Sequence, residues 1–135
     1  MLAAVAVCLA APTANAQTTT PAPASPTPAW RQIFENAQTI YYLSAANAPP
    51  TGEAEVETLQ QFKVPQVFGG DQIWSIVSHY RLDCGQDRIV TLDNAYYPHR
   101  MGEGSPIQSL NPNDTWHAPE PGTLGELIWN TACGK

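Results

Sequence analysis

No charged side chain precedes Arg31 in this chain of 135 residues, and that gap limits what can fold. Met1 to Ala11 reads MLAAVAVCLAA, an apolar run of signal-peptide length that is too short to cross a bilayer as a helix. Ala14-Asn15-Ala16 supplies the small-x-small pattern of a signal-peptidase site, so cleavage is expected after Ala16, although no Lys or Arg precedes the run. A buried N-terminal helix would show a polar face, and this segment has none. Cys8 follows Val7, which is too large and branched for a lipidated-cysteine site, and reads as apolar filling. Residues 17–29, QTTTPAPASPTPA, alternate proline with small side chains that offer little to bury. They form an extended linker. The domain organisation expected is therefore a signal peptide over 1–16, a linker over 17–29 and one folded domain over 30–135, of 106 residues.

Six Lys and Arg against twelve Asp and Glu give a net charge of −6, and no basic residues cluster. That excludes a phosphate-tracking nucleic-acid binder. Charged residues make up 13 % of the chain, against roughly 25 % in typical soluble proteins, so charge-driven disorder is excluded as well.

Loss of the leader removes Cys8 and leaves Cys84 and Cys133. An even pair in an exported chain reads as a disulfide. The competing readings are a zinc pair completed by a histidine and a redox thiol. Neither finds support, because there is no Cys-x-x-Cys and His79, His99 and His117 lack ligand-like spacing. A metal or cofactor site is not expected.

Trp30–Glu35 and Thr39–Ser44 are rich in aromatic and branched residues and read as strands. Residues 45–52, AANAPPTG, form a loop, followed by a strand over Glu55–Val64 in which a one-residue bulge would bring Val56, Thr58, Leu59 and Phe62 onto one face. Asp71–Leu82 alternates most clearly, with Ile73, Ser75, Val77 and His79 on one face and Trp74, Ile76, Ser78 and Tyr80 on the other. Turn residues at 83–86 and a strand over Asp87–Tyr97 complete a hairpin. Residues 98–106 read as a second turn and Ile107–Leu110 as a short strand.

The period then changes. Thr123 and Glu126 form a T-x-x-E capping box, with Leu124, Leu127, Ile128 and Thr131 at helical spacing and Gly134 as the stop. The fold class expected is α+β: an antiparallel sheet of about five or six strands, a C-terminal helix packed on one face, and one disulfide.

No catalytic set assembles from these residues. Ser105 lies in Gly-Glu-Gly-Ser-Pro, where Pro106 breaks the pattern of a nucleophile elbow. His79 falls inside an apolar strand and could pair with Asp87 or Asp93 across the hairpin, and a buried, hydrogen-bonded histidine is expected rather than a general base. Asp83, Asp87 and Asp93 lack EF-hand spacing and read as turn caps. Tyr41, Tyr42, Tyr80, Tyr96, Tyr97, Trp74 and Trp116 are numerous for so small a sheet. Such residues are over-represented at interfaces, but most of these are expected to form the core under the helix, because a domain with few Phe and Leu must build its core from something.

The order of Tyr41-Tyr42, Tyr80-Arg81-Leu82-Asp83-Cys84, Tyr96-Tyr97, Trp116, Pro121-Gly122-Thr123-Leu124-Gly125-Glu126 and Ala132-Cys133 resembles the surface-adhesin protein E family over roughly residues 30–134. The resemblance implies a small antiparallel sheet with a C-terminal helix and a bridge between Cys84 and Cys133. It further implies a cell-surface adhesin that captures host matrix proteins and plasminogen. Two features depart from that pattern: Val7-Cys8 is not a lipidation site, and the folded part has only Lys63 and Lys135 as lysines.

The expected function is therefore an exported, non-enzymatic binding module, in the periplasm or at the cell surface, with a protein or envelope ligand as partner. The alternatives are a small periplasmic enzyme or inhibitor that uses His79 or His99 beside a carboxylate, and a structural envelope component that self-associates through a strand edge.

Overall fold

A computed structural model describes residue 10 and residues 29–44 and 52–135. The cleavage position at Ala16, nearly all of the leader and linker, and residues 45–51 of the loop expected over 45–52 lie outside the described residues. Strands β1 (Trp30–Glu35), β2 (Thr39–Ser44), β3 (Glu53–Phe68), β4 (Asp71–Asp83), β5 (Arg88–Tyr97) and β6 (Gln108–Leu110) form one sheet in the order β1-β2-β3-β4-β5-β6. Every pairing is antiparallel. Each strand pairs with its neighbours in sequence, so the sheet is a simple meander without crossovers. The only α-helix among the described residues, α1 (Leu124–Cys133), follows the strands.

The helix starts where the capping box places it. Thr123 Oγ1 accepts from the Glu126 amide at 3.3 Å and donates to the Glu120 carbonyl at 2.6 Å. The Glu126 carboxylate reaches back one residue further than expected and accepts from the Gly122 amide at 2.7 Å. Gly134 ends the helix in the left-handed region at φ 70°, a conformation with no steric cost for glycine. Thr123→Ala should cost about 1 kcal/mol in chemical denaturation; an unchanged midpoint would show that water caps the helix equally well.

The rotation of the helix differs from the sequence expectation. The buried stripe contains Ile128, Trp129 and Cys133, flanked by Leu124 and Ala132, while Leu127 and Thr131 fall to its side. The cause lies at the end of the helix. Cys133 is bonded to Cys84, with the Cα atoms 5.7 Å apart, so the face one turn before Cys133 must also point at the sheet. That face is Trp129. These residues close over Leu43, Val56, Leu82 and Ile89, with Ile33 and Tyr80 at the margin.

β3 is also buried differently from the expected pattern. Its register against β4 is unbroken from Glu53 to Gln61, so no bulge separates Thr58 from Leu59. Leu59 therefore points away from the helix side that Val56 and Thr58 occupy. The irregularity comes later, between Gln61 and Gln66, around Pro65, whose missing N–H cannot serve the ladder. Beyond it the strand resumes and runs to Phe68, four residues past the expected end.

Both sheet faces are consequently covered at the centre. Opposite α1, Leu59, Ile73, Ser75 and Val77 are buried beneath the segment 99–104. Ser75 Oγ donates to the His99 carbonyl at 2.6 Å and accepts from the Gly102 amide at 2.9 Å. Gln61 Oε1 accepts from the Met101 amide at 2.7 Å. Two buried polar side chains thus pin the loop through its own backbone. Gly102 sits at φ 64°, and a Cβ there would lie 2.8 Å from Val77 Cγ2, so only glycine permits this approach.

Candidate functional site

Large apolar side chains left in solvent gather at one end of the molecule. Val64, Val67 and Phe68 are 68 %, 72 % and 45 % exposed, and they lie where the β3–β4 hairpin runs on past the register of β2. Ile107 and Leu110 are also exposed, on and beside the edge strand β6. The two groups meet through Tyr96, whose ring centre is 5.6 Å from that of Phe68, whose carbonyl accepts from the Ile107 amide, and which pairs with Gln108. Trp74 stands at the base of the hairpin, with the Arg100 guanidinium 4.3 Å from its ring centre. Among the described residues, Phe34 is the only other exposed large hydrophobic side chain. Apolar exposure concentrated in this way marks a contact surface.

On the face opposite α1, Glu57, His79 and Asp93 stand directly across from one another on β3, β4 and β5. His79 Nδ1 lies 2.5 Å from Asp93 Oδ1, and Nε2 lies 2.7 Å from Glu57 Oε1. A bulge that leaves Leu92 unpaired begins at this point and sets the aim of Asp93. Partial burial is the largest influence on the imidazole and opposes its charge. The hydrogen bonds to Asp93 and Glu57, with their charges, together outweigh it and hold the pKa above its ordinary 6.5. With both ring nitrogens engaged, no lone pair is free to act as a general base.

A folded-state pKa above the unfolded one means that the row stabilises the fold fully below about pH 6.5 and loses that contribution as pH rises through the raised value. The stability advantage over His79→Gln should shrink across that window in denaturation series at stepped pH. An NMR titration midpoint of the imidazole at or below 6.5 would refute the arrangement.

His79 and Glu57 also line a cleft of about 440 Å³, together with Trp30, Tyr97, Met101 and Glu103. No group of three or more His, Cys, Asp or Glu side chains among the described residues is placed to hold a metal ion. Nor is any helix there long and apolar enough to cross a membrane.

Residues 30–134 match the family model described as surface-adhesin protein E. The chain belongs to the surface-adhesin protein E family. The match takes in all six strands, the helix and both bridged cysteines. No curated protein matches the chain. Membership indicates a surface-adhesin-like protein, and with it an exported or surface location.

Within this family member, the residues singled out from the sequence separate into different roles. Cys84 and Cys133 come together as a buried structural bridge. His79 meets Asp93 as expected but is only half-buried, at the rim of the cleft, and Asp87 sits in the turn at φ 49° and takes no part. Asp83 caps its turn, accepting from the Gly85 and Gln86 amides at 3.1 Å each. Ser105 lies exposed on the loop after Gly104. Of the seven tyrosines and tryptophans expected mostly in the core under the helix, Tyr80 alone packs against it; branched aliphatic side chains and Trp129 fill that space, and Trp116 stacks beneath Arg88 at 4.4 Å.

Glu57 escaped the sequence reading because it lies 22 residues from His79, and only the β3–β4 register joins them. The hairpin tip carries no tyrosine or tryptophan, the residues that mark a contact surface in a sequence. The signal available was Val64, Val67 and Phe68 crowded before Gly69-Gly70.

Proposed function

We propose that this protein is an exported, non-enzymatic binding module that holds a protein ligand on the apolar end formed by the β3–β4 hairpin and β6. The observation that carries the reading is the exposure of Val64, Val67 and Phe68 on the hairpin and of Ile107 and Leu110 at the neighbouring edge. Membership of the surface-adhesin protein E family supports it. The saturated imidazole of His79 supports a non-enzymatic role, since it leaves that histidine no proton-accepting position. The apolar leader with its cleavage pattern after Ala16, the Pro/Thr/Ala linker over 17–29 and the domain over 30–135 support export. A disulfide suits an oxidising compartment outside the cytoplasm.

The test is a binding screen of the purified protein against immobilised matrix proteins and envelope fragments. Saturable binding to at least one protein is expected. The Val67→Ser, Phe68→Ser double variant should weaken it by about tenfold, or about 1.4 kcal/mol. Absence of saturable binding, or full binding by the double variant, would remove the proposal.

A further inference from the structure

The cleft opposite α1 is separate from the hairpin patch and has two chemically distinct zones. Its volume, about 440 Å³, falls in the range of roughly 300–1,000 Å³ typical of sites for small ligands. Trp30 and Tyr97 supply aromatic surface, Val77 and Met101 supply aliphatic surface, and Glu57 and Glu103 supply carboxylates. No Lys or Arg is among the described lining residues. His79 offsets at most one of its two flanking carboxylates, and both of its nitrogens are taken. Arg81, two positions along the same face of β4, is held by Glu55 at 2.6 Å.

An anion entering this cleft would meet like charge. A neutral apolar ligand would strip water from the carboxylates without replacing its hydrogen bonds. A cation on an aliphatic stem meets both zones correctly, because ring faces attract cations and carboxylates form charge-assisted hydrogen bonds. The net charge of −6 favours encounter with basic proteins in particular.

We propose that this cleft receives a lysine or arginine side chain of a protein partner, the stem lying against Trp30, Tyr97 and Met101 and the cationic head at Glu57 and Glu103. The proposal rests on the reading of the protein as a protein-binding module and assigns the chemistry of one contact.

The test titrates the whole protein with acetyl-Gly-Lys-Gly-amide, its arginine analogue, its norleucine analogue and methylammonium, following the Trp30 indole and His79 ring resonances by NMR. Saturable shifts are expected with at least one basic peptide, at least tenfold weaker in Glu103→Gln and unchanged in the Val67→Ser, Phe68→Ser variant. Glu103 lies on the exposed loop outside the His79 row, so its replacement leaves the fold intact. An equal response to norleucine or to methylammonium, or no response to either basic peptide, would overturn the cleft assignment. Full response in Glu103→Gln would overturn the placement of the cationic head. If the peptides fail while the hairpin variant still loses ligand capture, the cleft falls and the binding module stands. If the peptides bind and no protein is captured, the hairpin reading falls alone.

Discussion

Removal of the Cys84–Cys133 bridge, as Cys84→Ala with Cys133→Ala, is expected to lower the unfolding free energy by about 4 kcal/mol. The bonded cysteines are 49 positions apart, and closing a loop of that length restricts the unfolded chain by an amount that loop-closure entropy puts at this value. A shift of that size corresponds to a fall in melting temperature of roughly 15–30 °C for a domain of about 100 residues. The native state also suffers. Cys84 and Cys133 are buried in the cluster with Leu82, Ile128 and Trp129, and the bridge selects which face of α1 meets the sheet. Without it, Leu127 and Thr131 compete with Trp129 and Ala132 for the inward position, so the near-ultraviolet dichroism of Trp129 should weaken before the strands melt. Guanidinium denaturation of the double variant measures the first effect. A loss below about 1 kcal/mol would mean that the helix is held by packing alone.

That coupling explains why the helix was legible in the sequence while its orientation was not. Capping chemistry is local, and Thr123, Glu126 and Gly134 reveal themselves at fixed spacing. Rotation about the axis is settled by a partner 49 residues away, and several apolar stripes on one short helix are compatible with the same composition. The strands follow the same division. β1 and β2 begin and end where their branched and aromatic runs do, and alternation in β4 shows its two faces. β3 misleads, since Leu59 is covered by a loop and Val56 by a helix, so burial on both sides erases the period. The expected strand ends at Val64, but the irregularity between Gln61 and Gln66 does not stop it, and the hairpin continues into solvent to Phe68. For the site, Asp93 was visible opposite His79 because one hairpin joins them. Glu57 required knowledge of which strand lies on the other side. The apolar tip required knowledge of which strands stop short.

Leu59→Ala is expected to cost about 3 kcal/mol, the middle of the range for emptying a fully buried leucine site. The size of the effect depends on the loop opposite α1. An antiparallel sheet with one solvated face would place Leu59 in water, where truncation changes stability by no more than about 0.5 kcal/mol. Here Leu59 is 0 % exposed, between Tyr42 of β2 and Val77 of β4 in register, beneath Gly102, where a Cβ would come 3.7 Å from its Cδ1. The surroundings cannot collapse readily into the vacated space. Ser75 and Gln61 hold the loop backbone from below, and the sheet register holds the strands on either side. The cavity should therefore persist, which places the cost well above the transfer of the lost methyl groups alone. Urea denaturation of the variant gives the number. A cost below about 1 kcal/mol would show that segment 99–104 lifts away in solution, and the wall that Met101 and Glu103 lend to the neighbouring cleft would then be lost with it.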